Sequence, residues 1–188
     1  MASQFDEAQE SVLKAIREKA LRTGGEYRLS SGKMSSFFLD MKSVLTDGSE
    51  TLSKVADLIL ARIPHETTAV GGLAMGSIPI STEIVTRNNR SNPHHQLHFF
   101  WVRSEEKTHG LGGVVSGTLL PGDRVVVVDD VTTEGNSVLK AVKAVQEGGA
   151  RVLKIITIVD REEGAAETLR RLGHVFEPLF TRSQLLPQ

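Results

Sequence analysis

Apolar residues near the start of the chain fall at helical spacing. Phe5, Ala8, Val12, Ile16 and Ala20, with Leu13 beside them, predict a helix that Gly24-Gly25 brings to an end. Tyr27–Leu29 and Phe37–Met41 predict short strands on either side of the turn-prone Ser30-Ser31-Gly32. Ser49 then predicts the cap of a second amphipathic helix, carrying Leu52, Val55, Ile59 and Ile63 up to Pro64. From there the pattern alternates. Strands are predicted at Thr67–Gly72, Leu97–Arg103, Arg124–Asp129 and Val152–Val159, and helices at Ile80–Arg87, Ser137–Glu147 and Ala165–Leu172. The runs Val125–Val128 and Val152–Val159 are almost continuously apolar rather than alternating, as strands buried on both faces of a parallel sheet must be. An α/β fold follows, with a mostly parallel central sheet flanked by helices. Ser104–Asp123 breaks the rhythm: polar at first, with Gly110, Gly112, Gly113 and Gly117, it is long enough to serve as a lid.

Composition narrows the chemistry. The chain has 188 residues, with 22 Lys+Arg against 23 Asp+Glu, and this length and balance suit one globular domain with a real core. It contains no cysteine, so disulfides, Cys-based zinc sites, iron–sulfur clusters and thiol nucleophiles are excluded. No apolar run is long enough to span a bilayer. The acidic MASQFDEAQE start resembles neither a signal peptide nor a transit peptide, which makes the cytoplasm the expected location. A net charge of −1 leaves no footprint for nucleic acid or anionic membrane. Small-molecule chemistry is the leading class.

The strongest local signal starts at the four valines Val125–Val128. They run into Asp129-Asp130-Val131-Thr132-Thr133-Glu134-Gly135-Asn136-Ser137, and the helical periodicity of Val138, Val142 and Val145 follows. A strand, a loop and a helix in that order place unpaired N–H groups of the first helical turn beyond the carboxyl end of a sheet strand, where a phosphate binds well. Thr132, Thr133, Asn136 and Ser137 add hydroxyl and amide groups, and Gly135 allows close backbone approach. A bare phosphate would not favour the two carboxylates. A sugar phosphate would, because vicinal ribose hydroxyls are donors that Asp129 and Asp130 can accept, and a magnesium ion can share such a site. The plainer reading is an acidic strand end that only caps the next helix. P-loop, dinucleotide, nucleophile-elbow and H-E-x-x-H patterns are absent from the sequence. His94, His95 and His98 follow Asn92-Pro93 and are read as a surface turn rather than a metal site. Phe99-Phe100-Trp101 is read as core or dimer packing.

The valine run and the acidic loop after it resemble the ribosyl-diphosphate motif of type I phosphoribosyltransferases. Three further segments resemble the orotate phosphoribosyltransferase family in particular. They are Leu29–Lys33 running into Phe37-Phe38-Leu39-Asp40, then Gly71–Pro79, then Arg103–Gly110. The resemblance implies the type I phosphoribosyltransferase fold, with a small N-terminal helix and hood over residues 1–45 and a flexible lid over 104–118. It implies transfer of a 5-phosphoribosyl group from 5-phosphoribosyl-1-diphosphate to orotate, giving orotidine 5'-monophosphate and diphosphate for pyrimidine nucleotide synthesis. The ribosyl diphosphate would be held by Arg103, Ser104, Lys107, His109 and the run Asp129, Asp130, Val131, Thr132, Thr133, Glu134, Gly135, Asn136 and Ser137. Of these, Lys107, His109, Asp129 and Asp130 carry the catalytic roles. Thr133, Arg161, Phe38 and Leu39 match the orotate contacts, and an arginine fork suits a carboxylated base. Magnesium would be held mainly through the substrate diphosphate. The resemblance also implies a homodimer whose lids reach into each other's sites.

Departures from the family pattern fall at Ser104 and Ser30, each where a lysine is usual, and at Met75-Gly76, where Tyr-Lys is usual. They leave open a non-catalytic regulator that binds the ribosyl diphosphate, or a transferase for another base. Taken alone, Arg103, Lys107 and His109 would make a solvated charged loop, and Arg161 a surface ion-pair residue.

Overall fold

The computed structural model describes residues 4–28, 32, 34–104 and 114–186. α1 (Gln4–Ala15) continues into a π-helical turn at Ile16–Ala20, which keeps both Ile16 and Ala20 buried. Its loosened carbonyls are taken up locally: Ser43 Oγ donates to Lys19 O and the Asp40 N–H to Ala20 O. β1 (Leu21–Arg28) and β2 (Met34–Leu39) form a separate antiparallel hairpin, the hood. The glycine pair expected to stop the chain's first element instead lies inside β1. The pairing jumps from Thr23 opposite Phe37 to Tyr27 opposite Ser35, and the surplus residues form a bulge that needs the positive φ of Gly24.

After α2 (Lys42–Leu45), α3 (Thr51–Leu60) opens one residue later than a Ser49 cap would give. Glu50 holds the cap position without a side-chain bond, and Ser49 Oγ accepts the Thr51 N–H at 3.3 Å from one residue further out. There follow β3 (Ala69–Leu73), α4 (Ser77–Ser91), β4 (His98–Val102), β5 (Val115–Gly117), β6 (Arg124–Thr132), α5 (Asn136–Glu147), β7 (Arg151–Asp160), α6 (Ala165–Arg171), β8 (Phe176–Thr181) and α7 (Arg182–Leu185). The main sheet runs β5-β4-β3-β6-β7-β8, parallel except for β5. The mostly parallel α/β sheet expected from the sequence is therefore what the chain builds. The end of the expected lid, Val115–Gly117, is the edge strand β5, and the N–H of Arg103 donates to Val114 O at the base of that hairpin.

The four valines divide between two cores. Val126 and Val128 face a layer containing Val12 and Ile16 of α1, Val55 and Ile59 of α3, and Ile80 and Ile84 of α4. Val125 and Val127 face Val138, Ala141, Val142 and Val145 of α5. All four are at most 1 % exposed. At roughly 1.5–3 kcal/mol for each fully buried side chain of this size, they anchor β6 between its helices.

Candidate active site beyond the carboxyl ends of β3 and β6

β3 and β6 are neighbours in the sheet, and the chain leaves them in opposite directions, β3 through α4 to β4 and β6 through α5 to β7. This is the switch point at which open parallel sheets bind ligands. On the β6 side, Gly135 adopts φ 88° and starts α5 without a side-chain cap. The N–H groups of the first α5 turn therefore face the loop, as orphan donors do at any helix start. The 129–140 segment encloses a cavity of about 230 Å³, lined among others by Asp129, Thr132, Thr133, Asn136, Ser137 and Lys140. Asn136 and Ser137 are exposed, and Val131, Thr133 and Glu134 are half-buried. Thr132 is 2 % exposed, and among the described residues its Oγ1 is the buried side-chain oxygen without a hydrogen-bond partner. A buried hydroxyl without a partner is costly in a free protein and useful to an incoming ligand.

The two carboxylates differ. Asp129 is buried, and its Oδ1 accepts the Asp130 N–H at 3.0 Å. Burial, and then the neighbouring Asp130 carboxylate, push Asp129 well above the usual carboxylate range. Asp130 is half-buried and turns to the other face, where its Oδ1 accepts the Val131 N–H at 2.9 Å. There it lies against the loop after β3, in which Ala74-Met75 is a cis peptide, Met75 is exposed, and Ser77 Oγ donates to Leu73 O at 2.8 Å.

Arg161 follows β7 and is joined to this loop through the backbone: its N–H donates to Thr132 O at 2.9 Å, and the Ala165 N–H to Thr133 O at 3.2 Å. Its side chain is no surface ion-pair residue. At 2 % exposure it lies under the hood, with Nε donating to Glu163 Oε1 at 2.7 Å, Nη2 donating to Ser35 Oγ at 2.9 Å, and the guanidinium 3.9 Å from the centre of the Phe37 ring. Burial raises the adjacent Asp160 above its ordinary range, although the Glu162 N–H donating to it opposes the shift.

The structure thus gathers Asp129–Ser137 and Arg161 into one region. Phe38 points to the outer face of the hood, where it stacks on Tyr27 at 6.0 Å, and Leu39 points into the core. The Leu39 side chain is thereby closed to a ligand, whereas the Phe38 ring stays 39% exposed. Arg103 and Ser104 sit at the foot of the lid, while Lys107 and His109, with Ser30 and Lys33 of the hood turn, lie outside the described residues. The sequence pattern did not single out Ser35 or Glu163. The available signal was the acidic setting of one arginine directly after a buried strand, Asp160-Arg161-Glu162-Glu163.

The larger hollows, of about 470 and 950 Å³, lie on the α3 and α4 face away from this region, divided by Asp57 and Arg87. These two charges already satisfy each other, at 2.8 and 2.6 Å. Of the three histidines, His95 stacks on His65 and His98 meets Asp123 at 3.3 Å. Among the described residues no group of three or more His, Asp or Glu could hold a metal on its own.

Comparison with known proteins agrees with this geometry. A family model described as a phosphoribosyl transferase domain matches residues 43–177. The chain is 36% identical over 174 residues to the orotate phosphoribosyltransferase of Methanosphaera stadtmanae, covering 92% of this chain and 93% of that protein. It is 38% identical over 167 residues to that of Rhodopseudomonas palustris, with 86% and 88% covered. Among solved structures, orotate phosphoribosyltransferase from Aeropyrum pernix is similar at a TM-score of 0.76 and 30% identity, with 93% of this chain and 96% of that one covered. The Mycobacterium tuberculosis orotate phosphoribosyltransferase in complex with 5-phospho-alpha-D-ribosyl 1-diphosphate is similar at 0.73 and 25%, with 99% and 94% covered.

Proposed function

The chain belongs to the phosphoribosyl transferase family, and on that premise we propose that it transfers the 5-phosphoribosyl group from 5-phosphoribosyl-1-diphosphate to orotate in the synthesis of UMP. The observation that supports the reading is the meeting of a phosphate-type loop, the paired carboxylates Asp129 and Asp130 and a buried arginine, joined through the backbone bonds of Arg161 and Ala165 to Thr132 and Thr133. In the reaction a ring nitrogen of orotate forms a bond to the anomeric carbon as the bond from that carbon to the diphosphate oxygen breaks; diphosphate leaves with the electron pair, and the proton of the ring N–H is released to solvent or to the departing diphosphate.

Each group has a part fitted to its chemistry. The first-turn N–H groups of α5, with Thr132, Thr133 and Ser137, hold the 5-phosphate. Asp129 and Asp130 accept the ribose hydroxyls. As the anomeric carbon becomes positive their negative charge stabilises it, an electrostatic effect of roughly 3–4 kcal/mol for one well-placed group. Arg161 pairs with the carboxylate of orotate, and a base without that carboxylate would leave its buried charge unmatched. Lys107 and His109, with Arg103 and Ser104 at the lid's foot, meet the departing diphosphate, and the closed lid keeps out water that would otherwise hydrolyse the sugar.

Magnesium fits the donor set. Asp129 and Asp130 are hard oxygen donors beside the sugar, too few for an all-protein cage, which suits an ion held chiefly by substrate oxygens. When bound, it would neutralise charge on the diphosphate. The chain acts as a homodimer with lids exchanged between subunits, a reading supported by the place of β4 and β5, which flank the lid sequence, at the edge of the sheet. Among the described residues no helix is long and apolar enough to cross a membrane, and the cytoplasm is the proposed location.

The test is loss of orotate absorbance when purified protein, magnesium and the ribosyl diphosphate are mixed. Turnover is expected, falling about tenfold or more in Lys107→Ala or Asp130→Asn and unchanged in His95→Ala. No turnover, with intact binding of the ribosyl diphosphate by calorimetry, would replace this reading with a binding protein or a different base.

A further inference from the structure

Arg161 presents five N–H donors in one plane, and the structure shows how they are divided. Nε and Nη2 lie along one edge of the guanidinium. Nε is taken by Glu163 Oε1 at 2.7 Å and Nη2 by Ser35 Oγ at 2.9 Å, so that edge is spent within the protein. Phe37 covers one face at 3.9 Å. The outer edge, formed by Nη1 and the second hydrogen of Nη2, has the spacing of a carboxylate fork.

The turn that brings Glu163 there is held from outside. Glu162 adopts φ 58°, its N–H donates to Asp160 Oδ1 at 2.9 Å, and its own carboxylate accepts from the N–H and Oγ of Ser183 at 2.8 and 2.6 Å. This folds the chain back so that residues 161 and 163 meet, and Glu163 keeps 26% side-chain exposure while Arg161 keeps 2%. A charge so deeply buried needs a partner before any ligand arrives.

We infer that Glu163 is a positioning residue for recognition of the base: together with Ser35 it holds the inner edge of Arg161, turning the outer edge toward the carboxylate of orotate. The inference rests on the proposed reaction. It assigns orotate affinity to a residue that touches the arginine and not the ligand. Because Glu163 acts on the base side alone, its loss should separate the two substrates.

Steady-state kinetics of the full chain, with each substrate varied in turn, test this. Glu163→Ala should raise the KM for orotate about tenfold or more while the KM for the ribosyl diphosphate stays within about twofold. Glu163→Gln, whose amide oxygen still accepts the Nε–H, should recover most of the loss. In an Arg161→Ala background, Glu163→Ala should add little, since there is nothing left to position. An unchanged orotate KM in Glu163→Ala, equal rises for both substrates, or additive losses in the double variant would each overturn the assignment. If Glu163→Ala does not fold, Ser35→Ala, which removes the other acceptor on Arg161, must show the same split between substrates, and its failure to do so overturns the assignment equally. A wild-type chain that does not consume orotate overturns the proposed reaction and this inference with it. A wild-type chain that turns over while Glu163→Ala behaves identically overturns the inference alone.

Discussion

Gly76 and Asp130 compete for one volume: a methyl group on Gly76 would stand 2.3 Å from Asp130 Oδ1 and 2.7 Å from its Cγ. The carboxylate occupies the space that a side chain on the β3–α4 loop would need. Position 76 is where the family pattern usually carries a lysine, and in this chain the close approach of Asp130 leaves no room for a side chain there. Gly76→Ala should therefore raise the KM for the ribosyl diphosphate about tenfold, a loss of roughly 1.4 kcal/mol. Gly76→Lys should do no better, since the lysine would have to evict Asp130. Tighter binding of the ribosyl diphosphate by Gly76→Lys, measured by calorimetry, would show that Asp130 yields without cost.

Asp129 sets stability against function. Its carboxyl lies above its ordinary range because burial and Asp130 disfavour the charge. A raised acid stabilises the fold below the unfolded value and loses that contribution as pH rises through the folded value. Asp129→Asn should melt above the wild type at pH 8, with the gap shrinking toward pH 4.5, while turnover falls about tenfold or more. Melting curves at the two pH values check this, and a gap that widens on acidification would reverse the assignment.

Thr132 offers a cleaner separation. With Oγ1 buried and unpartnered in the free chain, Thr132→Val removes a desolvated hydroxyl at nearly constant shape. The variant should be as stable as the wild type or more so by about 1 kcal/mol in urea unfolding. It should also bind the ribosyl diphosphate more weakly, because the proposed reading gives this hydroxyl to the 5-phosphate. Loss of stability would mean that Oγ1 has a partner in the free protein.

Asp123 works at the opposite end of the sheet. Burial pushes its carboxyl up, but the Leu120 N–H, Thr68 Oγ1 and His98 outweigh burial and leave it below its ordinary value. Its contribution is therefore present above the unfolded value and lost as pH falls through the folded one. Asp123→Ala should cost roughly 3 kcal/mol of unfolding free energy by leaving buried donors unmatched, with the KM for either substrate unchanged. A selective rise in one KM would place Asp123 in the catalytic apparatus.

The β6–α5 unit was legible because its signals agree: four buried valines, an acidic strand end, a glycine and then helical periodicity all point to the same turn. Elements resting on weaker or conflicting signals were not. β8 carries Pro178, which opposes Thr157 on an edge strand where one missing N–H does no harm, yet in sequence a proline argues against a strand. β5 has three residues, too few for any period. Gly24-Gly25 reads as a stop but forms a bulge, since only the pairing with β2 distinguishes the two. In the site, Arg161 could be named from its resemblance to the family, but its partner Ser35 depends on a hood that folds over from the far end of the chain, and Glu163 on the positive-φ turn at Glu162.

The division of the four valines between two cores also counts residues for the chemistry. Alternation along β6 sends Val125, Val127 and then Asp129 to the α5 face, and Val126, Val128 and then Asp130 to the face of Gly76. β3 and β7 pair with the strand on both sides, and after one register shift between Val125 and Val126 on the β7 side the ladder fixes the faces of Val126 to Asp129. Deleting one valine would leave a run just as apolar, yet it would exchange the places of the two aspartates, aiming one at the glycine and the other at the phosphate loop. The parity of an otherwise interchangeable stretch is thus part of what the active site inherits.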